Sequence, residues 1–242
     1  MDDITPPAPP GGCGPTEWAT RRRAVLRDAL AVGTATGAYG LSFGALASAA
    51  GLSVWQAMVL SALMFTGASQ FALIGVLGAG GGPAAAVATA ALLGSRNALY
   101  GLRLTAILQA RGPIRLLAAH LVIDESAAMA VVRTDQRSAR LAFWATGASV
   151  FSLWNLATLA GALGARSFDD PRVLGLDAAA PAAFIALLAP RLRDRDTRIP
   201  AAAAAALALA LTPAVPAGVP ILAAAALTVL VGLLRPRRGT RS

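Results

Sequence analysis

The chain contains no lysine, a single cysteine, Cys13, and a single histidine, His120, in 242 residues. Charge of any kind is scarce. Only 14% of residues are charged, against about 25% in soluble domains. Each shortage excludes something. One cysteine cannot form a disulfide framework within the chain. One histidine cannot build a histidine-rich metal site, and Cys13 is distant in sequence, so no metal or other cofactor is expected. No P-loop is present, so ATP hydrolysis is not expected, and HExxH and GxGD are absent. Basic residues do not alternate with aromatics, which removes the usual nucleic-acid surface.

What is abundant is apolar. Hydrophobic residues make up 56% of the chain, and mean hydropathy is +0.62. This predicts an all-α, polytopic membrane helix bundle. Residues 1–20 (MDDITPPAPPGGCGPTEWAT) read as a disordered cytoplasmic tail with no compact signal peptide. Residues 21–234 read as the membrane domain, and 235–242 as a basic cytoplasmic tail. Apolar runs cover 28–50, 54–78, 83–109, 114–132, 140–163, 173–190, 199–213 and 217–234. They predict about seven or eight spans, some short or broken. Runs seven and eight are either two short crossings or one re-entrant hairpin. If all eight cross from a cytoplasmic N-terminus, 15 of the 21 arginines lie inside and four, Arg111, Arg115, Arg166 and Arg172, lie outside. The net charge of +9 is then a matter of topology, with both termini cytoplasmic. No internal sequence duplication is visible.

Polar groups inside apolar runs are costly and point to function. Gly67-Ala68-Ser69-Gln70 sits midway along the second run. It reads as helix–helix glue or as a binding site at a weakened helix. Gly75, Gly78 and the GAGGGP stretch beyond Gln70 suggest where that helix breaks. In SRNALYGLR, Arg96, Tyr100 and Arg103 share one helical face. A lone arginine at mid-depth costs ~2.5–3.5 kcal/mol and needs an anionic partner or a wet cavity. HLVIDES supplies one, since Asp124 or Glu125 is able to pair with Arg96 or to carry protons. His120, one helical turn before Asp124 on a continuous helix, would assist as a relay. Trp154-Asn155 and GLDAAAPAAF, with Asp177 and a possible kink at Pro181, complete the polar set. Ser69 with His120 also has the outline of an intramembrane serine protease, although Gln70 stands where such enzymes place glycine. A membrane scaffold without transport is a further alternative.

The segments GLSFGALASAAGLSVWQAMVLSALMFTGASQF, SRNALYGLRL, DESAA and GLDAAAPAAF resemble the AzlC family, the large subunits of branched-chain amino-acid exporters. The resemblance extends over residues 28–234. It implies proton-linked export of valine, leucine, isoleucine and methionine across the bacterial inner membrane, with a small AzlD-type membrane subunit as partner. It carries over Gln70, Arg96, Asn97, Tyr100, Asp124 and Glu125 as site residues. Ser69 adjoins them as a substrate-binding candidate. This chain departs from the family in having Gly94, Asn97 and Ile123 at positions where the family often has Asn or Asp, His, and Thr.

Overall fold

A computed structural model describes residues 15–167, 185, 188, 189 and 191–234. The expected sixth span with Asp177 and Pro181 lies almost wholly outside the described residues, as do residues 1–14 and the basic tail 235–242. The regular elements among the described residues are all helical. α1 spans Pro15–Ala49, α2 Val54–Leu63, α3 Ala68–Gly78, α4 Pro83–Leu108, α5 Pro113–His120, α6 Asp124–Val131 and α7 Gln136–Gly164. α8, Arg195–Leu211, and α9, Val219–Leu234, follow. Thr16–Ala49 is the one helix among them both long and apolar enough to cross a bilayer by those criteria alone.

α1 starts at Pro15, so residues 15–20 of the stretch read as a disordered tail are helical. Proline suits the first helical position and Glu17 the first turn. The Arg137 guanidinium lies 3.8 Å from the centre of the Trp18 ring and ties this turn to α7.

α1 and α7 form the frame. Gly33, Gly37, Gly40 and Gly44 make a small-residue stripe along α1. A Cβ on Gly33 would land on Ser149, one on Gly37 2.7 Å from Leu153, one on Gly40 2.5 Å from the Trp154 carbonyl, and one on Gly44 on Thr158. The partner numbers rise together, so the two helices are parallel and in near backbone contact, the packing that small residues permit in membranes. Their N-terminal end carries Arg21, Arg22, Arg23, Arg27, Arg137 and Arg140 and is here called the basic end.

The second and fourth apolar runs do not traverse this frame, unlike a bundle in which all eight runs cross. α2 starts at the far end, after the turn that follows Ala49, and descends. Its Ser61 Oγ bonds Thr158 Oγ1 at 3.3 Å, and Phe65 just beyond it packs on Phe151, 5.1 Å between ring centres. The chain then reverses. Phe71 meets Phe43 at 5.8 Å, and a Cβ on Gly78 would stand 3.4 Å from Ala50, back at the far end. α4 runs the full depth to the basic end, where Arg140 Nε donates to the Ile107 carbonyl at 2.9 Å and Nη2 to Gln109 Oε1 at 2.7 Å. α5 climbs from there, and Leu121 reaches Gly147 in mid-α7. α6 returns, so that Arg133 Nη2 bonds Asp28 Oδ2 at 3.0 Å. Among the described residues two hairpins thus enter the bundle and turn back at mid-depth, α2–α3 from the far end and α5–α6 from the basic end. The unit α1–α2–α3 and the unit α4–α5–α6 form an inverted pair.

This moves two residues. Arg111 and Arg115, expected in an outer loop, follow Gln109 at the basic end. Among the described residues Arg166, just past α7, stands at the far end. The turn between α8 and α9 also packs at the far end, where a Cβ on Gly218 would stand 3.1 Å from Ala85. At 17 and 16 residues, α8 and α9 each extend about 25 Å.

The bundle sets buried polar side chains within an apolar core and exposes large apolar ones outside. Ser61, Ser69, Gln70, Thr89, Ser126, Thr146 and Thr158 are buried, whereas Trp55, Leu63, Leu99, Leu102, Leu116 and Leu209 are more than two-thirds exposed. Buried polar groups and exposed large apolar ones are the informative departures from ordinary soluble packing.

Candidate functional site

The hairpin tips meet at mid-bundle. Each tip is a short unwound stretch, residues 64–67 in the first and 121–123 in the second. The first turns at Gly67, with φ 61° and ψ −87°, a region that side chains with a Cβ rarely occupy. The second has β-branched Val122 and Ile123, with Ile123 extended at φ −128° and ψ 171°. The break in the second run therefore comes before Gln70, not among the glycines after it. α3 continues through Gly75.

The two breaks are closed alike. Gln70 is fully buried; its Oε1 accepts from the Gly67 N–H at 3.1 Å and its Nε2 donates to the Leu60 carbonyl at 3.2 Å. Ser126 is also fully buried; its Oγ accepts from the Ile123 N–H at 3.1 Å and lies 2.6 Å from the Leu121 carbonyl. In each hairpin the third residue of the second helix holds the backbone of the unwound stretch; Gln70 also reaches α2 at Leu60, whereas Ser126 reaches Leu121, the residue that caps α5. Orphan groups at helix ends need such partners, and none comes from lipid. Gln70, a substrate-binding candidate by sequence, has its amide committed to this bridge.

The break also changes His120. The expectation of one face shared with Asp124 assumed a continuous helix. α5 ends at His120, and the extended residues 121–123 separate it from α6. Its ring packs 6.0 Å from Phe65 and 5.7 Å from Phe151, centre to centre, at the contact between the tips.

Asp124 and Glu125 begin α6, where the helix dipole favours carboxylates. They point apart. Asp124 Oδ2 lies 2.8 Å from Arg96 Nη2 on α4, both side chains about a third exposed. Glu125 Oε1 accepts from Thr36 Oγ1 on α1 at 3.4 Å. The ion pair borders a cavity of about 730 Å³ lined by Leu93, Arg96, Tyr100, Arg103, Asp124 and Val131. Arg96 Nε, Asp124 Oδ1 and Asn97 Oδ1 are buried with no hydrogen-bond partner among the described residues. The arrangement offers a zwitterion a cation and an anion side by side, with polar valences left over.

Ser69 occupies the second position of α3, the counterpart of Glu125 in α6. It faces α4, where a Cβ on Gly94 would stand 3.3 Å from Ser69 Oγ, just as Glu125 faces α1 at Thr36. Ser69 Oγ has no hydrogen-bond partner among the described residues, and no bond joins it to His120, so the catalytic pair of a serine protease is not assembled. Trp154 is core, stacked 6.0 Å from Phe43, and Asn155 Nδ2 donates to the Phe151 carbonyl one turn back at 2.8 Å. The sequence reading missed Thr36, Ser126 and the α1 glycine stripe. The stripe was open to detection as small residues at helical spacing, and Ser126 as a polar group three residues after a β-branched pair.

The AzlC family profile, described as AzlC protein, matches residues 31–168. No curated protein and no solved structure matches the chain. The matched region is more than half of the 242 residues and contains both hairpins, the ion pair and nearly all of the α1–α7 seam. The chain belongs to the AzlC family, a membrane transporter family associated with branched-chain amino acids.

Proposed function

We propose that this chain is the large subunit of a proton-coupled secondary exporter of valine, leucine and isoleucine, with methionine as a further substrate. On this reading it lies in the bacterial inner membrane as a multi-pass protein with both termini cytoplasmic, and works with a small AzlD-type membrane subunit. The observation that carries the reading is the Arg96–Asp124 pair, bordering a cavity between α4 and α6 just past the break that separates α5 from α6. Broken helices at mid-depth are where secondary transporters hold small charged substrates. The apolar exterior favours lipid around the bundle, and the arginines gathered at one end favour that end as cytoplasmic.

The roles divide. Arg96 takes the substrate carboxylate and Asp124 its ammonium, exchanging their mutual contact for contacts to substrate. Asn97 and Tyr100 on the same stretch of α4 orient it. Ser69 bounds the site from α3, while Gln70 keeps the α2–α3 break in shape. Glu125, whose one side-chain partner among the described residues is the Thr36 hydroxyl, carries the coupled proton. His120 adjusts the tip contact through which that proton passes. The test is valine accumulation by inside-out vesicles containing the chain and its small subunit, with and without an imposed pH gradient. Gradient-dependent accumulation is expected, and flux indifferent to the gradient would remove proton coupling.

A further inference from the structure

A second cavity, about 940 Å³, opens at the far end between α1, α3, α4 and the α8–α9 turn. Leu46, Phe71, Ile74, Val76, Leu93 and Ile221 contribute to its lining. It stands in a specific relation to the first. The first lies between α4 and α6, the helices that correspond to α1 and α3 in the inverted pair. Ala127 and Ala128 line it just past the α6 tip, as Phe71 and Ala72 line the second just past the α3 tip. The two cavities are counterparts opening at opposite ends. Leu93 lines both. Its neighbour Gly94 closes against Ser69.

We infer that the far-end cavity is the exit vestibule of the same transport path, and that Leu93 is the septum between the two. The inference rests on the transport reading and extends it to a region with no charged side chain in its lining. The chemistry of the two cavities differs in the sense that export needs. The basic-end cavity has Arg96 and Asp124 to capture a zwitterion. The far-end cavity is almost wholly aliphatic and aromatic, with Thr212 as its polar side chain. It accommodates an aliphatic amino-acid side chain while giving the charged end no counter-ion, so substrate is released to water and not retained. The septum is thin. One leucine, backed by a glycine and by a serine whose hydroxyl has no partner, separates the two spaces, and a modest shift of the α3 tip against α4 opens one side while closing the other.

Single cysteines in a Cys13→Ser background test this in membrane vesicles of both orientations, using a membrane-impermeant maleimide. Ala128→Cys should label from the cytoplasmic face alone and Ala72→Cys from the opposite face alone. Leu93→Cys should label from both faces, and valine at ten times its Kd should slow that labelling about tenfold, in line with site occupancy. Leu99→Cys, at a position 68% exposed on the outer surface, is the lipid-facing control. If Ala72→Cys labels no faster than Leu99→Cys, the far-end cavity is filled by lipid or protein and the inference fails. If Leu93→Cys labels from one face only, or valine leaves it unprotected while flux is normal, Leu93 is not the septum. Valine flux measured in the same vesicles separates the two readings. The predicted two-sided labelling without valine flux would keep the two vestibules and overturn the substrate.

Discussion

After the break in the α2–α3 hairpin the first two helical residues are Ala68 and Ser69. After the break in α5–α6 they are Asp124 and Glu125. The bridging is otherwise alike, the third residue of the second half holding an N–H of the turn and an earlier carbonyl, Leu60 within α2 in one hairpin and Leu121, the cap of α5, in the other. Two helix N-termini therefore point at the middle of the bundle, but only one brings its own negative charge. That charge is answered by Arg96 on α4, while the corresponding part of α1 is neutral and presents Thr36. The inverted pair thus conserves the mechanical part of the hairpin and differs in the chemical part. The tip that reaches in from the basic end carries ions, and the tip from the far end carries a hydroxyl.

The comparison breaks most sharply at the second helical position. Glu125→Gln should abolish valine accumulation driven by a pH gradient while valine exchange down its own gradient persists. Ser69→Ala, at the matching position, should retain gradient-driven accumulation. Accumulation by Glu125→Gln would return the proton to another acid, with Asp177 the next to test. The bridges come next. Gln70→Leu strands the Gly67 N–H, while the Leu60 carbonyl keeps the Met64 N–H at 2.9 Å, a loss of ~1–3 kcal/mol. Ser126→Ala takes the Ser126 hydroxyl from the Ile123 N–H and the Leu121 carbonyl and should cost ~1–3 kcal/mol. Thermal unfolding in detergent measures both, and a neutral Ser126→Ala would mean that the second tip does not depend on its bridge.

The ion pair is expected to contribute less, because each side chain is about a third exposed. A double-mutant cycle of Arg96→Ala and Asp124→Ala should give a coupling of ~1–2 kcal/mol, and strict additivity would dissolve the pair. The smallest effect lies outside the bundle core. Asp135 caps α7, accepting from the Ser138 N–H at 2.7 Å, which with nearby Arg21 holds its carboxyl below the usual range. A carboxyl lowered on folding adds stability that is complete above its unfolded pKa of about 3.9 and is lost as pH falls through the folded value. Asp135→Asn should therefore lower the melting temperature more at pH 6 than at a pH well below about 3.9. An equal loss at both pH values would assign the effect to packing.

Much of this was legible in the residues. The runs 83–109 and 140–163 match α4 and the body of α7, and the opposed charges of Arg96 and Asp124 meet as their depth required. The hairpins were not legible, because an apolar run of about 20–25 residues has the same hydropathy whether it crosses or folds back. The arginines held the clue. Arg111 and Arg115 were two of only four that counted against the expected topology, and both lie at the basic end once the second run returns to its starting side. The break at Gly67 was hidden for another reason. A single glycine among many carries no sign of its φ, and the more conspicuous cluster at 78–82 drew the expected break past Gln70.

The glycine seam between α1 and α7 sets an order on synthesis. α1 leaves the ribosome with its backbone bared along Gly33, Gly37, Gly40 and Gly44, and the helix that covers it is not complete until Gly164. At ordinary elongation rates that interval is on the order of 10 s. During it the first helix has no lasting mate, and the two hairpins have no α7 against which to close. Chains halted after Asp135 should therefore be cleared by membrane proteases far faster than chains halted just past Ser167, a contrast that pulse-chase labelling of the two truncations would measure.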